Sequence, residues 1–259
     1  MKDIQSQPDH RQIAIDKVGI KNVRYPIIVR DRQNRVQSTI ATIAMYVGLP
    51  HEERGTHMSR FIELLHMFER EVSLSSFTTV LQEMKNYLKA ESAEMEMRFP
   101  YFMEKTAPAS GAKSLMDYDC KLIGVITSDN KIDFYCEVIV PVMSVCPCSK
   151  AISEVGAHNQ RGVVRLATRF KRFVWFEDLI ERVEAAGSYS LYSLLKRNDE
   201  KEVTERGYHN PKFVEDIVRD IARNMEDDPN ISWYSVSAEN FESIHNHNAY
   251  AQVRSDSQK

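Results

Sequence analysis

The sequence predicts an α+β chain of two related halves, each an antiparallel sheet carrying helices on one face. Three observations predict it. Apolar periodicity gives the element order ββααβββαααββ, in which a strands–helices–strands grouping occurs twice. Hydrophobic residues make up 42% and charged residues 27%, ordinary for a globular protein. No Gly- or Ser-rich linker divides the chain, so the halves are expected to share a sheet or an interface. The expected division is a flexible tail over 1–14, a first unit over 15–127 and a second over 128–259, with the break somewhere in 105–130.

Each element follows from local pattern. Val18, Ile20, Val23 and Tyr25, then the run 26–29, read as a strand. The turn DRQNR at 31–35 leads into a second strand over 36–47, and the two form a long hairpin. Ser59 is the expected cap of a helix whose apolar face is Phe61, Leu64, Leu65 and Phe68. Ser75 or Ser76 is the expected cap of a longer helix with Val80, Met84, Leu88 and Met95 on one stripe, ended by Pro100 and residues 108–113. Two strands, 114–127 and 132–145, flank the turn SDNK. Residues 162–170 alternate as a strand, and 176–187 form an amphipathic helix ending at Gly187. A short helix is expected over 189–197, and another from Pro211 with Phe213, Ile217 and Ile221 on one face. Strands at 231–240 and 248–254 close the chain.

Composition excludes several classes. No run of about 18 uncharged apolar residues exists, so no membrane-spanning helix is expected. The first twelve residues lack the apolar core of an export signal. The net charge of −3 and pI of about 6.3 argue against a nucleic-acid coat, though a local Arg/Lys cluster could still hold phosphates. Four cysteines without an export signal do not make a disulfide framework, so a reduced cytoplasmic protein is expected.

Metal-capable side chains concentrate in the second half. Cys120 and Cys136 lie inside strand patterns and read as small core residues. Cys146-Pro147-Cys148 is different: two thiols bracket a rigid proline at a strand end, which suits either a ligand or a nucleophile. His158 follows twelve residues after Cys146. Asp199, Glu200, Glu202, Glu205 and His209 lie in a stretch that composition reads as a solvated loop. Glu239, Glu242, His245 and His247 form a further group. Glu242 and His245 at i, i+3 would suit a di-iron bundle only with a second such motif, which is absent. On extended chain His245 and His247 share a face, as a metal or proton-transfer pair or as an exposed polar stretch. A zinc-deaminase signature, Walker A, GxGxxG, GxSxG and CxxC are all absent. One Cys, one His and one Glu would leave an open, water-binding position on a four-coordinate ion: a hydrolase site in outline, without a substrate.

Four blocks carry a resemblance: RGTHMSRF at 54–61, PVMSVCPCSK at 141–150, GAHNQRG at 156–162 and NFESIHNHNAYA at 240–251. Together, in this order, they resemble the prokaryotic type IB GTP cyclohydrolases. The resemblance implies the tunnelling fold, with two ββααββ units per subunit. It implies conversion of GTP and water to formate and 7,8-dihydroneopterin triphosphate, the entry to folate and deazapurine synthesis. It implies one divalent ion, Mn²⁺ or Zn²⁺, on Cys146, His158 and Glu200. Cys148, Glu242, His245 and His247 are implied as acid–base groups and Glu215 as the guanine anchor. Arg54, His57, Arg60, Lys150 and Arg161 are implied candidates for the rest of the substrate. A homo-oligomer, a tetramer with sites at subunit interfaces, is implied as well, with no nucleic-acid or membrane partner. The rival readings are a non-catalytic protein with a structural zinc, and another purine or pterin enzyme of that fold, such as a nitrile reductase.

Overall fold

The structure, a computed structural model, describes residues 5, 7–32, 35–68 and 70–258. Residues 1–4 and 6 of the expected tail, and 33–34 of the expected first turn, lie outside the described residues. The strands are β1 (Ile15–Arg30), β2 (Val36–Leu49), β3 (Ala93–Thr106), β4 (Lys113–Ile126), β5 (Ile132–Val145), β6 (Asn159–Phe170), β7 (Ile231–Asn240) and β8 (Ala249–Arg254). The helices are α1 (Met58–Met67), α2 (Leu74–Leu88), α3 (Pro147–Ile152), α4 (Phe176–Ala186), α5 (Arg197–His209) and α6 (Val214–Glu226).

The eight strands make one sheet in chain order, β1 to β8. Pairing is antiparallel, as in β1–β2 from Ile15↔Leu49 to Arg30↔Val36 and in β6–β7 from Gly162↔Asn240. The expected tunnelling fold of two ββααββ units is corrected: the strands form one run of eight, in the shared sheet that the absence of a linker already suggested. Two local readings differ as well. Met95 does not extend α2: the helix ends at Leu88, where Lys89 takes a left-handed conformation with φ 53°. The chain then alternates buried and exposed as β3, the strand missing from the periodicity count. Residues 189–196 are not helical, and the charged stretch 198–206 is not a loop but lies in α5.

Caps also moved. α1 is capped at His57 rather than Ser59, and α2 at Ser73 rather than Ser75 or Ser76. Ser73 Oγ accepts from the Ser76 N–H at 3.0 Å, and Ser76 Oγ accepts from the Ser73 N–H at 3.0 Å. That reciprocal pair is a capping box built from two serines in place of Ser and Glu.

By packing, the chain forms two compact units. The first is Met1–Pro100 with Lys121–Tyr135, and the second is Tyr101–Cys120 with Cys136–Lys259. In the first, Phe61, Leu64 and Leu65 of α1 and Phe77, Leu81 and Met84 of α2 are buried, as are Ile43, Met45, Met95 and Met97 of the strands. Gln5, Gln7 and Asp9 form backbone hydrogen bonds with Gly55, Arg54 and Glu52. In the second, Leu179, Ile180 and Val183 of α4 and Ile217, Ile221 and Met225 of α6 are buried, with Val164, Leu166, Tyr234 and Val236 of the strands. Cys120 and Cys136 are buried core residues, and burial pushes both thiols well above the ordinary thiol range.

Candidate active site

The second unit gathers the chemistry at the end of β5. The strand stops because Pro147 occupies the first position of α3, where its missing N–H costs nothing. Cys146 is therefore the N-cap of α3, and its Sγ accepts from the Ser149 N–H at 3.4 Å. The Cys146 N–H donates to the His158 carbonyl at 3.1 Å, which brings the chain at 158 back to the strand end. The His158 N–H in turn donates to Ser149 Oγ at 3.1 Å. Cys146 is half-buried, and Cys148, one helical step on, is exposed. All four cysteines are free thiols.

His158 is held from its ring as well. Its Nδ1 lies 2.9 Å from Gln160 Oε1, and Glu242 Oε2 stands 3.9 Å from the same nitrogen. Gln160 Nε2 donates to Ser144 Oγ and to Glu242 Oε1, both at 3.4 Å. His245 sits edge-on to His158 with centroids 6.4 Å apart and stacks on His247 at 5.1 Å. The loop that carries both imidazoles is tied at each end. The Phe241 N–H donates to the Arg161 carbonyl at 2.9 Å, and Asn248 Nδ2 donates to Glu239 Oε1 at 2.7 Å. Glu239, a carboxylate of the sequence cluster, is thus a loop tie.

The remaining expected residues sit as follows. Glu200 is exposed in the first turn of α5. That turn is anchored by its neighbour Asp199, fully buried, which accepts from the N–H groups of Ala109 (2.9 Å), Ser110 (2.7 Å) and Lys196 (2.7 Å) and from Ser110 Oγ (2.6 Å). Although burial alone would raise its pKa, those four bonds hold the Asp199 carboxyl well below the usual carboxylate range. Glu215 is exposed in the first turn of α6. Asp216, not Glu215, caps that helix, accepting from the Phe213 N–H at 3.0 Å. The approach to α6 is fixed to β5: the Lys212 N–H donates to the Val145 carbonyl at 3.0 Å, and Ser144 Oγ donates to the Lys212 carbonyl at 2.9 Å. So the strand end that presents Cys146 also sets the start of the helix that presents Glu215.

Among the cations, Lys150 is committed inside the unit: its Nζ donates to the Tyr208 carbonyl and lies 4.4 Å from that ring's centroid. Arg161 is exposed on β6. Arg54, His57 and Arg60 belong to the first unit, at the entry of α1, and the Arg60 guanidinium lies over the Tyr87 ring at 5.5 Å.

Two of the three expected metal ligands fit a metal. Cys146 offers a half-buried thiol. His158 has Nδ1 occupied by an amide oxygen, the outer contact that leaves Nε2 for a ligand bond. Glu200 is not drawn into that pair, and among the described residues no three His, Cys, Asp or Glu side chains form a metal-sized group. Sequence reasoning missed Ser144, Gln160 and Asn240, and read Asp199 as part of a solvated loop rather than as a buried anchor. Ser144, Gln160 and Asn240 lie inside the four blocks, but a single Ser, Gln or Asn in a strand carries no signal of its own.

Comparison with known proteins fixes the family. Residues 1–251 match the family described as type I GTP cyclohydrolase folE2. A GTP cyclohydrolase FolE2 of Desulfosudis oleivorans is 61% identical over 253 residues, covering 98% of this chain and 97% of that protein. This chain belongs to the type I GTP cyclohydrolase FolE2 family. Another FolE2, from Syntrophus aciditrophicus, is 57% identical over 99% of this chain and all of that protein. In three dimensions this FolE2-family chain is similar to the crystal structure of uricase from Arthrobacter globiformis. The TM-score is 0.55 at 10% identity, over 92% of each chain. At that identity the likeness is one of fold. With the single eight-stranded sheet, it replaces the expected tunnelling fold by a uricase-like antiparallel sheet with helices.

Proposed function

We propose that this chain is a GTP cyclohydrolase. It hydrolyses GTP at C8, releasing formate and forming 7,8-dihydroneopterin triphosphate, the first step of folate synthesis and a source for deazapurines. The observation that carries the reading is FolE2 membership over residues 1–251, supported by the His158–Glu242 side-chain pair at the strand end that bears Cys146. The narrower prokaryotic type IB assignment rests on the four sequence blocks.

The residues divide the work. A Glu215 carboxylate accepts two hydrogen bonds at once, from guanine N1–H and the 2-amino group. We assign to His245, which stacks on His247 and lies edge-on to His158, the transfer of a proton to guanine N7 as C8 is attacked. Glu242 and Cys148 orient water and move protons during ring opening. Cys146, His158 and Glu200 are the ligands we assign to one divalent ion, Mn²⁺ or Zn²⁺, which when bound would supply an activated water. Arg54, His57, Arg60, Lys150 and Arg161 remain the candidates for the rest of the substrate. For Lys150, that role requires leaving Tyr208.

We read the protein as a cytoplasmic homo-oligomer, a tetramer with sites at subunit interfaces. Four free thiols support the compartment. Exposed apolar side chains beside the site, Ile152, Val155 and Ile244, support a covering neighbour. Among the described residues no helix is long and apolar enough to cross a membrane.

The test is ultraviolet detection of a pterin from GTP, with formate measured alongside, in metal-supplied and chelated protein. The expected result is stoichiometric formate and pterin that collapse with chelator. A metal-independent rate would point to a cysteine-nucleophile enzyme, and no product at all to a structural zinc protein.

A further inference from the structure

We propose that Gln160 is a positioning residue. Its side-chain amide holds His158 with the ring proton on Nδ1 and fastens Glu242 to the same group. The proposal rests on the reading above, in which His158 and Glu242 work in the site.

Hydrogen-bond polarity fixes the orientation of the Gln160 amide. Ser144 Oγ gives its single proton to the Lys212 carbonyl at 2.9 Å. It therefore meets its other two neighbours as an acceptor: Asn240 Nδ2 at 3.2 Å and Gln160 at 3.4 Å. One donation and two acceptances exhaust a hydroxyl. On the same side of Gln160 lies Glu242 Oε1, also 3.4 Å away, and an ionised carboxylate only accepts. A Gln160 carbonyl turned toward these two oxygens would meet only lone pairs, so the amide NH₂ faces them. That orientation turns Oε1 toward His158, 2.9 Å from Nδ1. An oxygen that cannot donate requires N–H on the imidazole, and Nε2 is left with its lone pair. That is the form needed by either a metal ligand or a proton acceptor.

The frame around Gln160 is rigid. Gln160, Ser144 and Asn240 are all buried. Asn240 Oδ1 packs against Gly162, where an added Cβ would stand 2.4 Å away. Ser144 on β5, itself held by Asn240 of β7, thus fixes the amide of Gln160 on β6, and that amide fixes one imidazole tautomer and one carboxylate. Free imidazole favours the opposite tautomer, with the proton on Nε2, so the contact has a measurable consequence.

The experiment is ¹⁵N NMR of the histidine rings in metal-free protein at a pH where imidazole is neutral. The His158 signals are assigned by their loss in His158→Phe. Wild type is expected to show the proton on Nδ1. Gln160→Glu keeps an acceptor at that nitrogen and should retain this tautomer. Gln160→Met removes it and should move His158 toward the Nε2 form. With GTP, kcat should fall about 10–100-fold in both variants, because Gln160→Glu also sets like charge against Glu242. The GTP KM should move less than about threefold, the pattern of a group acting on the reacting assembly rather than on substrate binding. A wild-type proton on Nε2, or an unaltered His158 spectrum or kcat in Gln160→Met, overturns the proposal. If Gln160→Met does not fold, the wild-type spectrum and the Gln160→Glu pair decide. The tautomer is read whether or not the protein turns over GTP, so a failed functional reading is distinguished from a failed tautomer.

Discussion

At the scale of single residues, the two thiols of Cys-Pro-Cys are set apart by their surroundings. Cys146 is half-buried, caps α3 and adjoins the His158 carbonyl, whereas Cys148 is exposed one step along the helix. Cys146→Ala should lose bound metal, because it removes a ligand from a site with few. Cys148→Ala should keep metal and lose roughly 10²–10⁴ in rate as an acid–base group. Elemental analysis beside steady-state kinetics checks both, and equal metal content in the two variants would remove the distinction. Glu215 makes a second residue-scale case. It sits beside the positive end of α6, which favours an ionised acceptor, and it is spared from capping by Asp216. Glu215→Gln places a donor against a guanine donor. GTP affinity should drop by about 1–3 kcal/mol with metal content unchanged. Unaltered affinity would move the guanine anchor to another acidic residue such as Glu202 or Glu205. Cys146, Cys148 and His158 stand out in the sequence because Cys and His are scarce and their spacing carries information, whereas Glu215 enters only through the family resemblance. Gln160 and Ser144 do not stand out, because their importance lies in which partner each faces, and facing is a property of the folded strands.

At the scale of elements, legibility followed periodicity. The expected bounds of β5 and β7 match to the residue, and those of α4 nearly so, since each alternates or repeats cleanly from end to end. α5 was not legible. It is strongly polar and buries only Asp199 and Gly207, so no apolar stripe announces it. Its start is fixed instead by the four hydrogen bonds to Asp199, three of which come from residues 109–110, about ninety positions away in the chain. The start of α2 was displaced for a related reason: three serines at 73, 75 and 76 present equivalent signals, and only the reciprocal bonds single out Ser73. Ser73→Ala should destabilise the protein by about 0.5–2 kcal/mol in urea unfolding, while Ser75→Ala should be nearly silent. Equal effects would place the cap elsewhere.

At the scale of the whole molecule, alternation in the sequence reveals every strand of the sheet but β3, and the absence of a linker already points to a shared sheet. The tunnelling arrangement, which came from the resemblance, is what the uricase-like sheet replaces. β3 escapes a periodicity reading because Met95 and Met97 satisfy a helical stripe as readily as an alternating one. Global stability should also carry a signature of phenols whose pKa is raised in the folded state. Burial, then neighbouring Tyr189, raises Tyr192 to about 12; burial and the Glu226 carboxylate, 2.7 Å from its hydroxyl, raise Tyr234 to about 12. A raised pKa means the folded state keeps a proton that the unfolded chain gives up near 10. The stabilisation is complete below about pH 10 and is lost as pH climbs through 12. Urea unfolding followed from pH 8 to 12 should show that decline, and Tyr234→Phe should flatten part of it. A Tyr234→Phe slope equal to wild type would exclude the phenol as a source.

The sheet runs in the order in which the chain is made. Each strand is laid beside the one synthesised just before it, so a growing chain always meets its partner already in place. No strand has to wait with both edges bare for a distant segment to arrive, the state in which nascent sheets recruit one another and aggregate. The longest connections are the helical ones at 50–92 and 171–230. Because closing a loop grows costlier only with the logarithm of its length, even these delay the next pairing little. The ribosome, in effect, delivers this protein in assembly order.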